Sequence, residues 1–187
     1  MKVVFVLGSR NPQGQTARAA EAMLCGVRDS GGQTEEVFLP EKTIERCRQC
    51  GDDGWGTCRT EGCCAIKDDF AALVDKIVDA DAVVFVTPVY SSDLSESLRA
   101  FLDRLIRRSK HEASKAKIAG KTAVGVCVAG GGGGGAPACS VSLERVLRIC
   151  GFNIVDLIPV RRQNLEMKLT ILRITGQWLA QDGTEVQ

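Results

Sequence analysis

The chain has 187 residues, with 24 basic and 23 acidic side chains, a formal net charge of +1 and 44% hydrophobic residues. This balance is typical of a globular protein and gives no overall electrostatic attraction for nucleic acid or an acidic membrane, so neither partner is expected. The first apolar run, residues 3–7, is too short for a signal peptide or a spanning helix, and we therefore expect a cytoplasmic protein with reduced thiols.

Strand patterns alternate with helix patterns along the chain. Strands are predicted at residues 3–7, 33–39, 82–87, 122–129 and 153–160. Helices are predicted at residues 16–28, 95–108, 140–150 and 165–180, and a further helix is predicted to open at Asp68 and Asp69. This alternation implies parallel strands joined by helical crossovers. We expect an α/β, flavodoxin-like fold, with a five-stranded parallel sheet in the order 2-1-3-4-5 and helices on both faces.

The domain organisation follows from the absence of an internal repeat or a long linker. We expect one domain over residues 1–187, with a cysteine-rich loop inserted at residues 45–66. The charged segment 104–121, which includes His111, is interpreted as a solvated helix end, although its basic side chains could attract nicotinamide phosphates.

Three unusual loops follow the first, third and fourth predicted strands. They read GSRNPQGQT (8–16), TPVYSSDLS (87–95) and AGGGGGGAP (129–137). Because ligands of open parallel sheets bind at the carboxyl ends of the strands, we expect the three loops to meet at one rim. The first could hold a phosphate on a helix N-terminus, or be an ordinary capped turn. In the second, Tyr90 could pack on a planar ring, while Asp93 or Ser95 could cap a helix; the third could simply be mobile.

Five of the nine cysteines lie in the stretch CRQCGDDGWGTCRTEGCC, residues 47–64. Four thiolates could hold an iron–sulfur cluster or a zinc ion, Cys47 and Cys50 could form a redox pair, or the thiols could have no cofactor. The odd total argues against a fully paired disulfide framework. The other four cysteines stand singly in apolar surroundings and are predicted to be small buried side chains: Cys25, Cys127, Cys139 and Cys150.

Taken in order, GSRNPQGQT, C-x-x-C, GCCAIKDDF, TPVYSSDLSESLRAFLDRL, a glycine-rich turn and PVRRQN resemble the flavodoxin-like NAD(P)H-dependent FMN reductase family, and within it the iron–sulfur flavoproteins. The resemblance implies an FMN-dependent oxidoreductase that moves electrons from a reduced nicotinamide (NAD(P)H) or a ferredoxin-type donor through FMN to an acceptor. It also implies a homodimer or homotetramer. The alternative it leaves open is an iron–sulfur flavoprotein electron carrier, with a 4Fe-4S cluster in the loop 47–64 and no substrate of its own.

The resemblance also implies the site residues. No catalytic side chain is expected, because the flavin carries the chemistry. The implied cluster ligands are Cys47, Cys50, Cys58 and Cys64, since Asp53 stands where the family has its third cysteine. The implied FMN-binding residues are Ser9, Arg10, Asn11, Gln13, Gly14, Gln15, Thr16, Pro88, Val89, Tyr90, Ser91, Ser92, Gly130, Gly131, Gly132 and Gly133.

Overall fold

A five-stranded parallel sheet forms the centre of the computed structural model, which describes residues 1–181. Its strands are β1 (Lys2–Leu7), β2 (Gln33–Phe38), β3 (Ala82–Pro88), β4 (Thr122–Ala129) and β5 (Asn153–Arg161). They pair in the order β2-β1-β3-β4-β5, and every ladder is parallel. The predicted flavodoxin-like fold is confirmed. The central strands β3 and β4 are buried along their whole length, as expected when both faces of a sheet are covered.

Five long helices cover the two faces of the sheet. One apolar cluster joins the sheet to α1 (Gln15–Asp29) and α7 (Leu165–Gln181). The other joins it to α3 (Phe70–Asp79), α4 (Glu96–Arg108) and α6 (Ala136–Cys150). Helices α1 and α7 pack backbone against backbone, since a Cβ at Gly26 would overlap the Arg173 carbonyl oxygen and one at Gly176 would overlap that of Met23. The two glycines therefore set the distance between these helices.

Four short elements in the described part of the chain were not predicted. They are the helices α2 (Thr57–Thr60) and α5 (Glu112–Ala116) and the 3-10 turns Leu39–Glu41 and Arg162–Asn164. Helix α2 lies in the middle of the cysteine-rich loop. None of the helices within residues 1–181 is long and apolar enough to cross a membrane.

The predicted start of α6 was wrong, and that of α3 was close. Helix α6 begins at Ala136 rather than at residue 140, because Gly135 takes a left-handed conformation (φ 80°) and Pro137 occupies the first turn, where its missing N–H costs nothing. Helix α3 begins at Phe70, directly after the two aspartates that were predicted to open it, and Asp68 Oδ1 accepts from the Phe70 N–H at 3.2 Å. The two aspartates also bond the opposite end of the cysteine loop. Asp69 accepts from the Thr43 N–H at 2.8 Å and Asp68 from the Glu45 N–H at 2.9 Å.

The isolated cysteines are buried with one exception. Cys127, Cys139 and Cys150 lie in the core, and burial raises the pKa of the Cys150 thiol to about 12. Cys25 was predicted to be buried too, but it lies half-exposed on α1, where its thiol is 3.3 Å from the Glu21 carboxylate. The alternation of apolar and polar positions on an amphipathic helix places it at the edge of the apolar stripe.

Candidate functional site

The loop between β1 and α1 is held by hydrogen bonds between its own residues, and it leaves the N-terminus of α1 exposed. The Ser9 hydroxyl accepts from the Asn11 N–H at 3.2 Å, and Asn11 Oδ1 accepts from the Gln13 N–H at 2.9 Å. The helix begins after Gly14, which provides no side-chain cap. Gly14 therefore offers no side chain to bond the N–H groups in the first turn of α1. These N–H groups and the positive end of the helix dipole can bind an anion such as a phosphate.

Gln15 connects the first loop to the glycine-rich loop. Its Oε1 atom is buried and has no hydrogen-bond partner in the described chain. A Cβ placed on Gly130 would lie 3.7 Å from that oxygen, so the two loops meet here. Gly131 and Gly132 have open space where a side chain would be. A buried acceptor without a partner beside open backbone is the arrangement that a ligand hydroxyl or N–H would complete.

The loop after β3 is a tight turn with a half-exposed aromatic ring. Tyr90 and Asp93 exchange backbone hydrogen bonds of 3.0 and 2.9 Å. Between them Ser91 and Ser92 both adopt positive φ angles, 49° and 65°, a conformation that costs free energy in residues other than glycine and is concentrated at ligand sites. The Tyr90 side chain is 46% exposed and open to a planar ligand.

Helix α4 begins at the end of the second loop. Ser95 is its N-cap and accepts from the Leu98 N–H at 3.4 Å, so one of the two predicted caps is confirmed. The other, Asp93, instead accepts from the Leu94 N–H at 2.8 Å and pairs with Arg99 at 2.5 Å. Burial alone would raise the pKa of Asp93, but these two donors hold it below its ordinary value.

Arg10 does not turn into the first loop. Its exposed guanidinium pairs with Glu96 at the start of α4. In this arrangement the attraction for a phosphate comes mainly from the helix N-terminus, because the Arg10 charge is offset by the Glu96 carboxylate.

Gln163 is a residue of this rim that the sequence interpretation missed. Its Nε2 donates to the Gly132 carbonyl at 3.0 Å, and its amide fills the space beside Gly133, which has a φ of 78°. The glycine-rich loop, predicted as a candidate mobile segment, is therefore held to the turn that follows β5. The segment PVRRQN could have indicated this position of Gln163, because its polar residues follow the end of a strand and must lie on the same rim.

A cavity lies between α1 and β2, beside the first loop. It has a volume of about 560 Å³, and its lining includes Arg18, Glu21, Glu36 and Glu41. Burial and the neighbouring Glu21 carboxylate raise the pKa of Glu36. The excess of carboxylates makes this cavity a poorer phosphate site than the N-terminus of α1.

The four cysteines predicted as ligands line one small cavity in the loop before α3. Cys47, Cys50, Cys58 and Cys64 all contribute to its wall, whereas Cys63 is exposed and lies outside it. The cavity has a volume of about 20 Å³, enough for one water molecule. Within residues 1–181 no three His, Cys, Asp or Glu side chains stand close enough to hold a metal ion. The thiols have the donor chemistry of a cluster site, but in this arrangement they do not fit a cluster, because no three of them stand close enough together.

Arg104 corrects the interpretation of segment 104–121 as solvated. Its side chain is 1% exposed and forms an ion pair with Asp68, which is 2% exposed, at 2.6 Å. Burial would raise the pKa of Asp68, but the Arg104 guanidinium and the N–H groups of Glu45 and Phe70 outweigh it and lower that pKa. Arg104 stands three residues after the buried Phe101, so helical spacing could have indicated its inward position.

Comparisons with known proteins agree with the fold. A profile of the family described as NADPH-dependent FMN reductase matches residues 1–160. An iron–sulfur flavoprotein of Archaeoglobus fulgidus is 31% identical over 124 residues, which are 66% of this chain and 54% of that protein. An iron–sulfur flavoprotein of Methanocaldococcus jannaschii is 30% identical over 131 residues, 70% of this chain and 65% of that protein. The chain thus spans between about half and two thirds of the length of these curated relatives.

A solved structure supports the fold independently. The NAD(P)H:quinone oxidoreductase from Methanothermobacter marburgensis has a TM-score of 0.71 at 22% identity, with 96% of each chain covered. The family profile extends from β1 to β5 and includes all three loops of the rim. The chain belongs to the NADPH-dependent FMN reductase family.

Proposed function

We propose that this chain is an FMN-dependent oxidoreductase that takes electrons from a reduced nicotinamide or a ferredoxin-type donor and passes them to an acceptor. The observation that carries the proposal is the meeting of the first and third loops at Gln15, whose buried oxygen has no partner among residues 1–181. Membership of the family supports FMN as the ligand. When bound, FMN would supply hydride and single-electron chemistry, and the protein would supply binding and orientation.

The chain's own residues have distinct tasks in this proposal. Ser9, Asn11 and Thr16 would surround the phosphate at the start of α1, with Arg10 at the edge. Gln15 would accept a hydrogen bond from the flavin, and the loops 88–92 and 130–133 would enclose the ring, with Tyr90 beside it. The only histidine lies elsewhere, at the cysteine loop, where its Nδ1 is 3.2 Å from the Ser114 hydroxyl. That no side chain acts as a catalytic acid or base stays a prediction.

The alternative function is an electron carrier with FMN and a 4Fe-4S cluster and no substrate of its own. The observation that favours it is the shared cavity of Cys47, Cys50, Cys58 and Cys64, together with the exclusion of Cys63 from that cavity. Both named relatives are iron–sulfur flavoproteins. To bind the cluster, the four thiolates would have to move closer together, and the cluster would then supply one-electron transfer.

Anaerobic purification followed by a visible spectrum and an iron assay tests both functions. We expect a yellow flavin spectrum, and broad brown absorption with about four iron atoms per chain if the alternative holds. Turnover of NADH or NADPH with an added acceptor then distinguishes the enzyme from the carrier. A protein that stays colourless when FMN is added contradicts both functions.

The assembly and the location remain proposals. Exposed apolar side chains on α7, at Met167, Ile171 and Ile174, support the predicted homodimer or homotetramer, because apolar patches commonly mark subunit contacts. A sedimentation mass equal to that of one 20.1 kDa chain would contradict it. The single domain over residues 1–187, the cytoplasmic location and the absence of nucleic-acid or membrane partners stay predictions.

A further inference from the structure

Two neighbouring arginines lie at the end of β5, at the edge of the rim that carries the candidate FMN site. Arg161 is the last residue of β5, Arg162 opens the 3-10 turn that follows, and both residues are exposed. We propose that Arg161 and Arg162 bind the phosphate groups of a reduced nicotinamide dinucleotide, the electron donor, beside the flavin. The inference rests on the function proposed above, whose donor it names.

The charges of these two arginines are not offset by neighbouring carboxylates. Among residues 1–181, no carboxylate lies within ion-pair distance of either guanidinium, and Glu166, one helical turn after Arg162, pairs instead with Arg18 on α1 at 2.8 Å. By contrast, Arg10 in the first loop and Arg99 on α4 are each paired with a carboxylate. The charges of the two arginines after β5 therefore remain available to an anion.

The arginines stand directly beside the glycine-rich loop. Arg161 lies opposite Ala129 in the β4–β5 ladder, and Ala129 is the residue that precedes the six glycines. The residue after Arg162 is Gln163, whose Nε2 donates to the Gly132 carbonyl at 3.0 Å. An anion bound by the arginines would therefore lie next to the loop that is expected to enclose the flavin ring.

The FMN phosphate itself is too far away to be this anion. In the order β2-β1-β3-β4-β5, three strand spacings separate β1 from β5, which is about 14 Å at about 4.8 Å per spacing. The FMN phosphate is expected at the start of α1, directly after β1. The anion that the arginines attract must therefore belong to a second molecule.

The chemistry of a nicotinamide dinucleotide fits this position. A donor of hydride must place its nicotinamide against the flavin ring, and its diphosphate then extends toward the edge of the rim. A guanidinium is a planar fork that bonds two phosphate oxygens at once. A protein donor would need about 800 Å² of contact surface on this chain, whereas two side chains at a sheet edge match the size of a phosphate group.

The test uses the full, FMN-loaded chain and the double variant Arg161→Gln/Arg162→Gln. We expect the KM for the reduced nicotinamide to rise about five- to thirty-fold with kcat unchanged, because the phosphate contacts are the same before and during hydride transfer. Calorimetric titration with NAD⁺ and NADP⁺, the oxidised forms, should show the same loss of affinity. An equal loss for both assigns the arginines to the diphosphate, and a loss confined to NADP⁺ assigns them to the extra phosphate on its ribose.

Arg145→Gln/Arg148→Gln is the matched control. It removes the same two charges from exposed positions in the second half of α6, whose first residue, Ala136, lies at the rim. Wild-type KM and nucleotide affinity are expected for this control. Equal effects in the two double variants, or no effect in Arg161→Gln/Arg162→Gln, would overturn the inference and leave the proposed function intact.

The identity of the donor gives a further check. Oxidation of a reduced ferredoxin-type carrier, with no turnover of NADH or NADPH, would overturn the inference because the donor would then be a protein. A chain that binds no FMN would contradict the proposed function, and with it the inference.

Discussion

Replacing Asp68 with asparagine is expected to lower the free energy of unfolding by about 3–5 kcal/mol, because it leaves the buried Arg104 charge without its partner. The two side chains are almost fully excluded from water and share two hydrogen bonds. The double variant Arg104→Gln/Asp68→Asn should recover part of the loss, since it removes both charges. Urea unfolding at pH 7 measures each difference.

The exposed ion pair Asp29–Arg173 provides the control. Its atoms are 2.6 Å apart, but its side chains are 39% and 57% exposed, so Asp29→Asn should cost less than about 1 kcal/mol.

The pH dependence of the free energy of unfolding gives a second check. The folded protein lowers the pKa of Asp68, so the contribution of the pair is present above the unfolded value of about 3.9 and is lost as pH falls through the lower folded pKa. Equal losses of unfolding free energy in Asp68→Asn and Asp29→Asn would show that burial does not strengthen the Asp68–Arg104 pair.

Replacing Gln15 with leucine is expected to weaken FMN binding while leaving the empty protein as stable as before. The Gln15 oxygen has no partner in the described chain, so its removal costs the empty protein no hydrogen bond. If FMN supplies the missing donor, its loss should weaken binding by about 1–2 kcal/mol, or roughly five- to thirty-fold. Fluorescence titration of FMN and urea unfolding of the FMN-free protein measure the two effects.

Gln33→Leu is the control for this experiment. Gln33 is exposed and begins β2, at the opposite end of the sheet from the three loops, so both FMN affinity and stability should stay at wild-type values. Wild-type FMN affinity in Gln15→Leu would mean that the orphaned oxygen is not part of the flavin site.

The sheet could be predicted from sequence because its central strands are buried on both faces. Such strands are apolar throughout, and β3 and β4 were placed to within one residue. The start of α6 was missed because the six glycines and Pro137 were interpreted as loop, although a proline in the first turn of a helix is favourable. Local composition does not distinguish a proline in a loop from a proline in the first turn of a helix.

The three loops of the candidate site were predicted from sequence, but the hydrogen bonds that join them to other parts of the chain were not. Sequence placed the loops at one rim, but it could not show that Gln163 holds the glycine-rich loop, since that bond joins residues far apart in the chain. Arg104 was hidden in a charged segment, where only the helical phase relative to Phe101 indicates burial. Long-range polar contacts of this kind depend on packing between elements, which a local pattern does not encode.

The most direct test of the FMN site is a crystal structure of the full chain grown with FMN. We expect the phosphate within hydrogen-bond distance of the N–H groups at residues 15–17, and the flavin ring between Tyr90 and the loop 130–133. FMN bound instead in the cavity between α1 and β2, beside Arg18 and Glu36, would contradict it.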